Sequence, residues 1–309
     1  MAVFSFIGFG ELGSSLAEGL SGSGRHTLRA FTREPSSPEA ADTLEERLSR
    51  SATALYGSLE DTLSEAGAVL SVVPAGESLA TAERCAPLLG AETYYVDLAA
   101  APVAQKREGA GLVGRAGAKY VDGAVLGTVA TSGFSVPILL SGPGANGFKA
   151  LVDDEGLSIE VLDAPAGDAT LVKLLRSVYM KGRDALVLET MLAARRYGLE
   201  ARVAESIAGP GEEVSFTALA DRVLRALAVH AGRRADALLA SADVVRAASV
   251  DPVMTLAGAD VLHDMAAFGL REKFARKRPA SGEETLSAIE AAVPRPAPGG
   301  PAASHPDRG

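Results

Sequence analysis

The stretch Gly8-Phe9-Gly10-Glu11-Leu12-Gly13 constrains this chain more than any other. It stands between an apolar, strand-like run, Val3-Phe4-Ser5-Phe6-Ile7, and a segment in which Leu12, Leu16 and Leu20 recur at helical spacing. At a strand-to-helix junction each of these glycines has a mechanical task. Gly8 permits the tight turn, Gly10 lets the backbone approach a pyrophosphate, and Gly13 lets the helix pack closely on the strand. The anion then rests on the unpaired N–H groups and the positive end of the helix, with Phe9, Glu11 and Leu12 in the same turn. A glycine-rich turn without a ligand has the same composition, so the reading depends on the chain that follows.

A second strand is expected at 27–32, and cofactor choice is read at its end. An Asp or Glu there would accept from the 2′-hydroxyl of an NAD ribose. The chain has Phe31-Thr32-Arg33 instead, with Glu34 beyond the strand end. A guanidinium pairs with a 2′-phosphate and stacks on adenine. Thr32 and Arg33 therefore predict NADP(H), the alternative being that Arg33 is a plain surface arginine.

Short apolar runs continue to alternate with helical patterns up to about residue 162, the pattern of a doubly wound, mostly parallel α/β sheet. Ala68-Val69-Leu70-Ser71-Val72-Val73, ended by Pro74, reads as a strand buried on both faces, and Tyr94–Leu98 as the next. A strand is expected at Lys119–Val121 and another at Pro137–Ser141. From Asp168 strand patterns cease and long helical periodicities take over. The expected division is a Rossmann domain at 1–165, an all-α domain at 166–278, and a Pro/Ala/Gly-rich tail at 279–309. That tail carries a helical island at Glu283–Ala292 and is otherwise expected to be disordered.

Composition excludes several classes. The net charge of −9 repels phosphate backbones, and tryptophan is absent, so a nucleic-acid partner is not expected. Cys85 is the only cysteine, and no apolar run reaches membrane-spanning length, so the expected setting is cytoplasmic with no membrane partner. His26, His230, His263 and His305 are scattered without ligand spacing, and no metal is expected.

Taken in order, Gly8-x-Gly10-x-x-Gly13, Thr32-Arg33, Val72-Val73-Pro74 and Val96-Asp97-Leu98 resemble the β-hydroxyacid dehydrogenase superfamily over about residues 2–200. That group includes 3-hydroxyisobutyrate dehydrogenase, 6-phosphogluconate dehydrogenase and the imine reductases. The resemblance implies that Val73, Pro74 and Asp97 join the cofactor site. It also implies that Lys173, six residues after Gly167 at the start of a long helix, is the catalytic lysine. The helical half, with Lys181-Gly182 and His230-Ala231-Gly232-Arg233-Arg234, looks more like a phosphogluconate-dehydrogenase-type subgroup of largely unassigned substrate. Three departures stand out: Ser177 where the family has asparagine, Ala99-Ala100-Ala101 where it has a Ser/Thr pair, and Leu126-Gly127-Thr128 in the substrate loop.

Lys173, Ser177, Lys181 and Asp184 follow at intervals of four, four and three, which aligns them along one helical stripe. By spacing alone the stripe fits a solvated face better; the resemblance reverses this and makes Lys173 the general acid or base and Ser177 an orienting group. Gly127 and Thr128 open a small, hydroxyl-rich loop that fits either an anion contact or an ordinary connection. His230 and Arg234 suit a small, anionic substrate or plain solvation. The long apolar helix at 168–198 is expected to pack in a homodimer. The sequence thus points to a dehydrogenase or reductase of hydroxy acids, keto acids or related carbonyl compounds. An NADPH-dependent imine reductase and a non-catalytic NADP(H)-binding sensor are the rivals.

Overall fold

Along the central strands every second side chain enters a different core. Val69, Tyr95 and Tyr120 pack with Leu59, Leu63, Ala82, Cys85 and Val113 on one face of the sheet. Leu70, Val96, Val121 and Leu140 pack with Leu16, Leu20 and Phe148 on the other. Burial on both faces is why these strands read as continuous apolar runs rather than as alternating ones. Each such Leu or Phe contributes about 1.5–3 kcal/mol relative to leaving it exposed.

The computed structural model describes residues 1–196, 198–207, 215–247 and 251–292. Its strands are β1 (Val3–Ile7), β2 (Thr27–Phe31), β3 (Ala54–Leu55), β4 (Ala68–Ser71), β5 (Tyr94–Asp97), β6 (Lys119–Val125), β7 (Ile138–Ser141) and β8 (Ile159–Val161). They form one sheet in the order β3-β2-β1-β4-β5-β6-β7-β8. All neighbours run parallel except β6 and β7. The helices α1 (Glu11–Ser21), α2 (Pro38–Arg50), α3 (Leu59–Leu63), α4 (Ser78–Cys85), α5 (Val103–Arg115), α6 (Val129–Ser132) and α7 (Ala145–Leu151) lie between strands. Two strands differ from the sequence pattern. β4 ends at Ser71, before Val72 and Val73 turn away toward Pro74, and β6 runs on past Val121 because β7 returns antiparallel beside Asp122–Val125.

The rest is helical: α8 (Asp168–Arg196), α9 (Glu200–Ile207), α10 (Phe216–Ala247), α11 (Val253–Ala267), α12 (Leu270–Lys273) and α13 (Gly282–Ala292). By its contacts the chain divides into a first unit, Met1–Lys173, and a second that begins at Leu174. The second unit has its own core, in which Leu224, Leu227, Leu238, Leu262 and Met265 meet across a bed of alanines. α13 belongs to that core through Leu286 and Ile289, spaced i, i+3 on its buried face, so the helical island expected at Glu283–Ala292 is a helix that packs on the second unit. Residues 293–309 of the expected tail lie outside the described residues. Among the described residues no helix is long and apolar enough to cross a membrane.

Candidate nucleotide site and active site

The chain crosses from β1 to β2 and β3 on one side, then returns to place β4 on the other. The crevice outside the C-terminal ends of β1 and β4 is the switch point where open α/β sheets hold ligands. The glycine turn lies there. Gly8 has a φ of +88°, and its N–H donates to the carbonyl of Phe31 at 2.8 Å, which ties the turn to the end of β2. A Cβ on Gly8 would stand 2.6 Å from the Val72 carbonyl oxygen, and one on Gly13 would stand 2.9 Å from the Gly8 carbonyl oxygen. Side chains at either position would push β4 or α1 away. Gly10, at the N-cap of α1, is different: a Cβ there meets nothing within 4 Å. The first-turn N–H groups of α1 therefore open onto free space at the sheet edge, which is what a pyrophosphate needs.

The flanking residues take distinct places. Phe9 is buried and packs edge-on against Phe6, so only its backbone faces the turn. Leu12 packs on the core below, and Glu11 is exposed in the first turn of α1. Beyond β2, Thr32 is half-buried and Arg33 is exposed. Arg33 Nη1 lies 3.1 Å from Glu77 Oε1, which belongs to the short turn after Pro74. Val73 is half-buried and Pro74 exposed on the same edge. Thus the turn, Thr32–Arg33 and Val73–Pro74 are brought together along one rim.

Asp97 is placed otherwise. Its side chain is 1% exposed and faces inward. Its carboxylate accepts from Ser78 Oγ (2.7 Å), Tyr120 OH (2.9 Å) and the Ala99 N–H (3.0 Å), and Lys106 Nζ stands 3.1 Å from Oδ1. Every lone pair points into the protein, so the carboxylate is not part of a cofactor-facing surface. Lys106 also donates to the Asp97 carbonyl at 2.6 Å and lies 3.5 Å from Asp122 Oδ1. Asp122 is the register partner of Asp97 on β6. Sequence reasoning missed Lys106 and Asp122. The signal was there: Lys106, Gly109 and Val113 form the buried face of α5, and a charge on such a face requires a partner. Burial raises the Tyr120 hydroxyl well above the usual phenol range, with the charge of Asp97 adding to it, so Tyr120 serves as a donor.

Lys173 is half-buried in the second turn of α8. Gly127 and Thr128 are exposed after β6, and Thr128 Oγ1 shares a hydrogen bond of 2.9 Å with Thr131 Oγ1. In the second unit, Ser177 is buried and accepts from Lys181 Nζ at 3.4 Å. Arg234 pairs with the buried Asp184, whose other oxygen is 3.5 Å from Arg183. Burial lowers the Lys181 pKa, and the nearby Arg234, Arg233 and Arg176 lower it further against the opposing pull of Asp184. Burial also lowers His230, with Arg233, Arg278, Arg234 and Arg271 adding to the shift. The structure therefore gathers Lys181 and Arg234 near Asp184, with Ser177 on Lys181 and His230 among the arginines that include Arg234.

The NAD binding domain of 6-phosphogluconate dehydrogenase matches residues 3–149. The conserved protein MTH1747, of unknown function but structurally similar to 3-hydroxyacid dehydrogenases, is 30% identical. That likeness covers 89% of this chain and 98% of the other, with a TM-score of 0.69. The chain belongs to the β-hydroxyacid dehydrogenase superfamily. By family it is a pyridine-nucleotide-dependent oxidoreductase. A conserved hypothetical protein from Sinorhizobium meliloti is 25% identical, covering 95% of this chain and 97% of its own, with a TM-score of 0.73. The 3-hydroxyisobutyrate dehydrogenase of Mycobacterium tuberculosis, solved with L-serine, shares the fold at 18% identity and a TM-score of 0.70, covering 94% of this chain and 99% of its own.

Proposed function

We propose that this member of the superfamily is an NADP(H)-dependent dehydrogenase or reductase of a small, anionic hydroxy acid, keto acid or related carbonyl compound. The observation that carries the cofactor choice is Arg33, exposed at the C-terminal end of β2 on the rim that also holds the glycine turn. The cradle fits a dinucleotide: Gly8 and Gly13 leave no room for a side chain, and Gly10 leaves the helix N-terminus open. When bound, the nicotinamide supplies or accepts the hydride. The chain's own tasks are to fix the pyrophosphate on the α1 N–H groups, to meet a 2′-phosphate with Arg33, and to move a proton. Reduction of a carbonyl leaves an alkoxide, and Lys173 is the acid that protonates it or, in reverse, the base that takes the proton. Ser177 and Thr128 orient the substrate, and the positive charge at Lys181 and Arg234, with His230 beside the arginines, favours one that carries negative charge.

We further propose a homodimer. On α8, Val172, Leu175 and Tyr179 form an exposed apolar stripe, 40%, 47% and 69% accessible, with the i, i+3, i+7 spacing of a packing face. Analytical ultracentrifugation of the wild type and Leu175→Glu checks this, and a wild-type monomer overturns it.

The test of function is binding of NADPH and NADH to the purified protein. NADPH consumption is then followed against keto acids, aldehydes and cyclic imines. Expected are preferential NADPH binding and turnover of a carbonyl compound, lost in Lys173→Ala, with the NADPH preference reduced in Arg33→Ala. Turnover of imines alone selects the imine reductase reading, and binding without turnover selects the sensor. Binding of neither nucleotide overturns the proposal.

A further inference from the structure

Helix α8 begins at Asp168, so its N-cap is Gly167, a residue with no side chain to receive the first-turn N–H groups. The Asp168 N–H turns back to the Pro165 carbonyl at 3.2 Å, and the other donors are met from the sheet. Asp122 Oδ2, on β6, accepts from the N–H of Gly167 and of Thr170, both at 3.0 Å. Its Oδ1 accepts from Thr170 Oγ1 at 2.6 Å. Ser141 Oγ, on β7, accepts from the N–H of Ala169 at 3.0 Å and donates to Asp122 Oδ2 at 3.2 Å. A cap normally comes from the residue just before the helix; here two neighbouring strands supply it. Asp122 is 0% exposed, and Lys106, equally buried, stands between it and Asp97. Two carboxylates in register on adjacent strands repel, and the lysine compensates them. The charge left over faces the positive end of α8.

Lys173 lies three residues beyond Thr170, one turn further along the same helix. We propose that Asp122, held by Lys106 and assisted by Ser141, is the positioning residue that fixes the start of α8 and thereby sets where the Lys173 amine stands for proton transfer. This rests on the role of Lys173 proposed above. The arrangement acts before any substrate arrives. A proton donor on a helix whose start is anchored to the sheet by four hydrogen bonds, from Gly167, Ala169 and Thr170, keeps its place relative to the sheet edge, where a frayed first turn would let it wander. Displacement of about an ångström is enough to slow a positioned reaction about a hundredfold.

Asp122→Asn is the decisive variant. It keeps the shape but removes the charge and turns one acceptor into an NH2 group, so either the N–H donors of Gly167 and Thr170 or the Thr170 hydroxyl lose their acceptor. Expected are a fall in kcat of about tenfold to a hundredfold, an unchanged affinity for NADPH, and a KM that changes less than kcat. Amide exchange at Ala169 and Thr170 should speed up, and the acetylation rate of Lys173 by acetic anhydride should change relative to the other lysines. Because Asp122→Asn also removes a buried charge that Lys106 and the start of α8 both face, and so threatens the fold, Ser141→Ala is the second variant, expected to show the same signs in smaller measure. A lower unfolding midpoint with unchanged kcat per folded molecule would overturn the proposal. So would unchanged exchange and unchanged Lys173 labelling, a readout that holds even if no compound turns over. Failure of the underlying reading looks different: Lys173→Ala then keeps full turnover, whatever Asp122→Asn does.

Discussion

The two units hold buried charge in opposite ways. In the first, Lys106 lies between Asp97 and Asp122, all three at 0–1% exposure, and each carboxylate oxygen has a donor within reach. In the second, Arg234 pairs with Asp184, while Lys181, His230 and further arginines lie in reach of Arg234, and both Lys181 and His230 are pushed toward their neutral forms. The first group is compensated in place, by Lys106 and by the N–H groups at the start of α8. The second carries a surplus of positive charge that an anion would relieve. Buried charge of the first kind makes a rigid frame, whereas buried charge of the second kind makes affinity, at some cost to the empty protein.

Lys106→Met should have the largest effect on stability. It leaves two carboxylates without their cation, and breaking a buried pair in this way costs about 3–5 kcal/mol. Urea unfolding measures it, and a loss below 1 kcal/mol would mean that the carboxylates find other compensation. Asp184→Asn removes the anion at the centre of the second group and a charged hydrogen bond to Arg234, a loss of about 1.5–3 kcal/mol. Lys181→Met should do the reverse. Taking one cation from a surplus is neutral or stabilising by up to about 1 kcal/mol, while binding of sulfate, used as a probe anion, weakens. If Lys181→Met destabilised the fold as Lys106→Met does, the contrast between the units would collapse.

The same contrast governs what could be read from the sequence. The glycine turn was legible because its logic is local: a positive φ at Gly8 and a close approach at Gly13 depend on residues within a few positions and on the next strands. The strand and helix periodicities were legible for the same reason, down to the two-sided burial of Val69 and Leu70. Asp97 was read toward the cofactor, since position at a strand end does not tell which face a side chain takes. Its partners lie at Ser78, Lys106 and Tyr120, on three other elements. Asp122 was missed because its role is to cap a helix 45 residues further along the chain. The arginine cluster around His230 was visible as a spacing on one helix, but Asp184 and Lys181 meet it only through the packing of α8 on α10. Alanine-rich helices such as these give little hint of which faces will meet.

The smallest expected effect is a shift with pH. His230 carries a folded-state pKa lowered by burial first and by Arg233 next. For a base whose folded pKa is depressed, the unfolded chain binds the proton more readily. The stability associated with neutral His230 is therefore present above the ordinary histidine range, about 6.5, and is lost as pH falls through that value toward the folded pKa. Sulfate should oppose that loss, since an anion among Arg233, Arg234 and Lys181 restores the charged form of the imidazole. Melting temperatures with and without sulfate, at constant ionic strength, should thus differ more at acidic than at alkaline pH. An NMR titration of His230 should show its pKa rising when sulfate is added. A sulfate effect independent of pH, with the His230 titration unmoved, would place the anion elsewhere and leave the surplus charge of the second unit as a solvated surface feature.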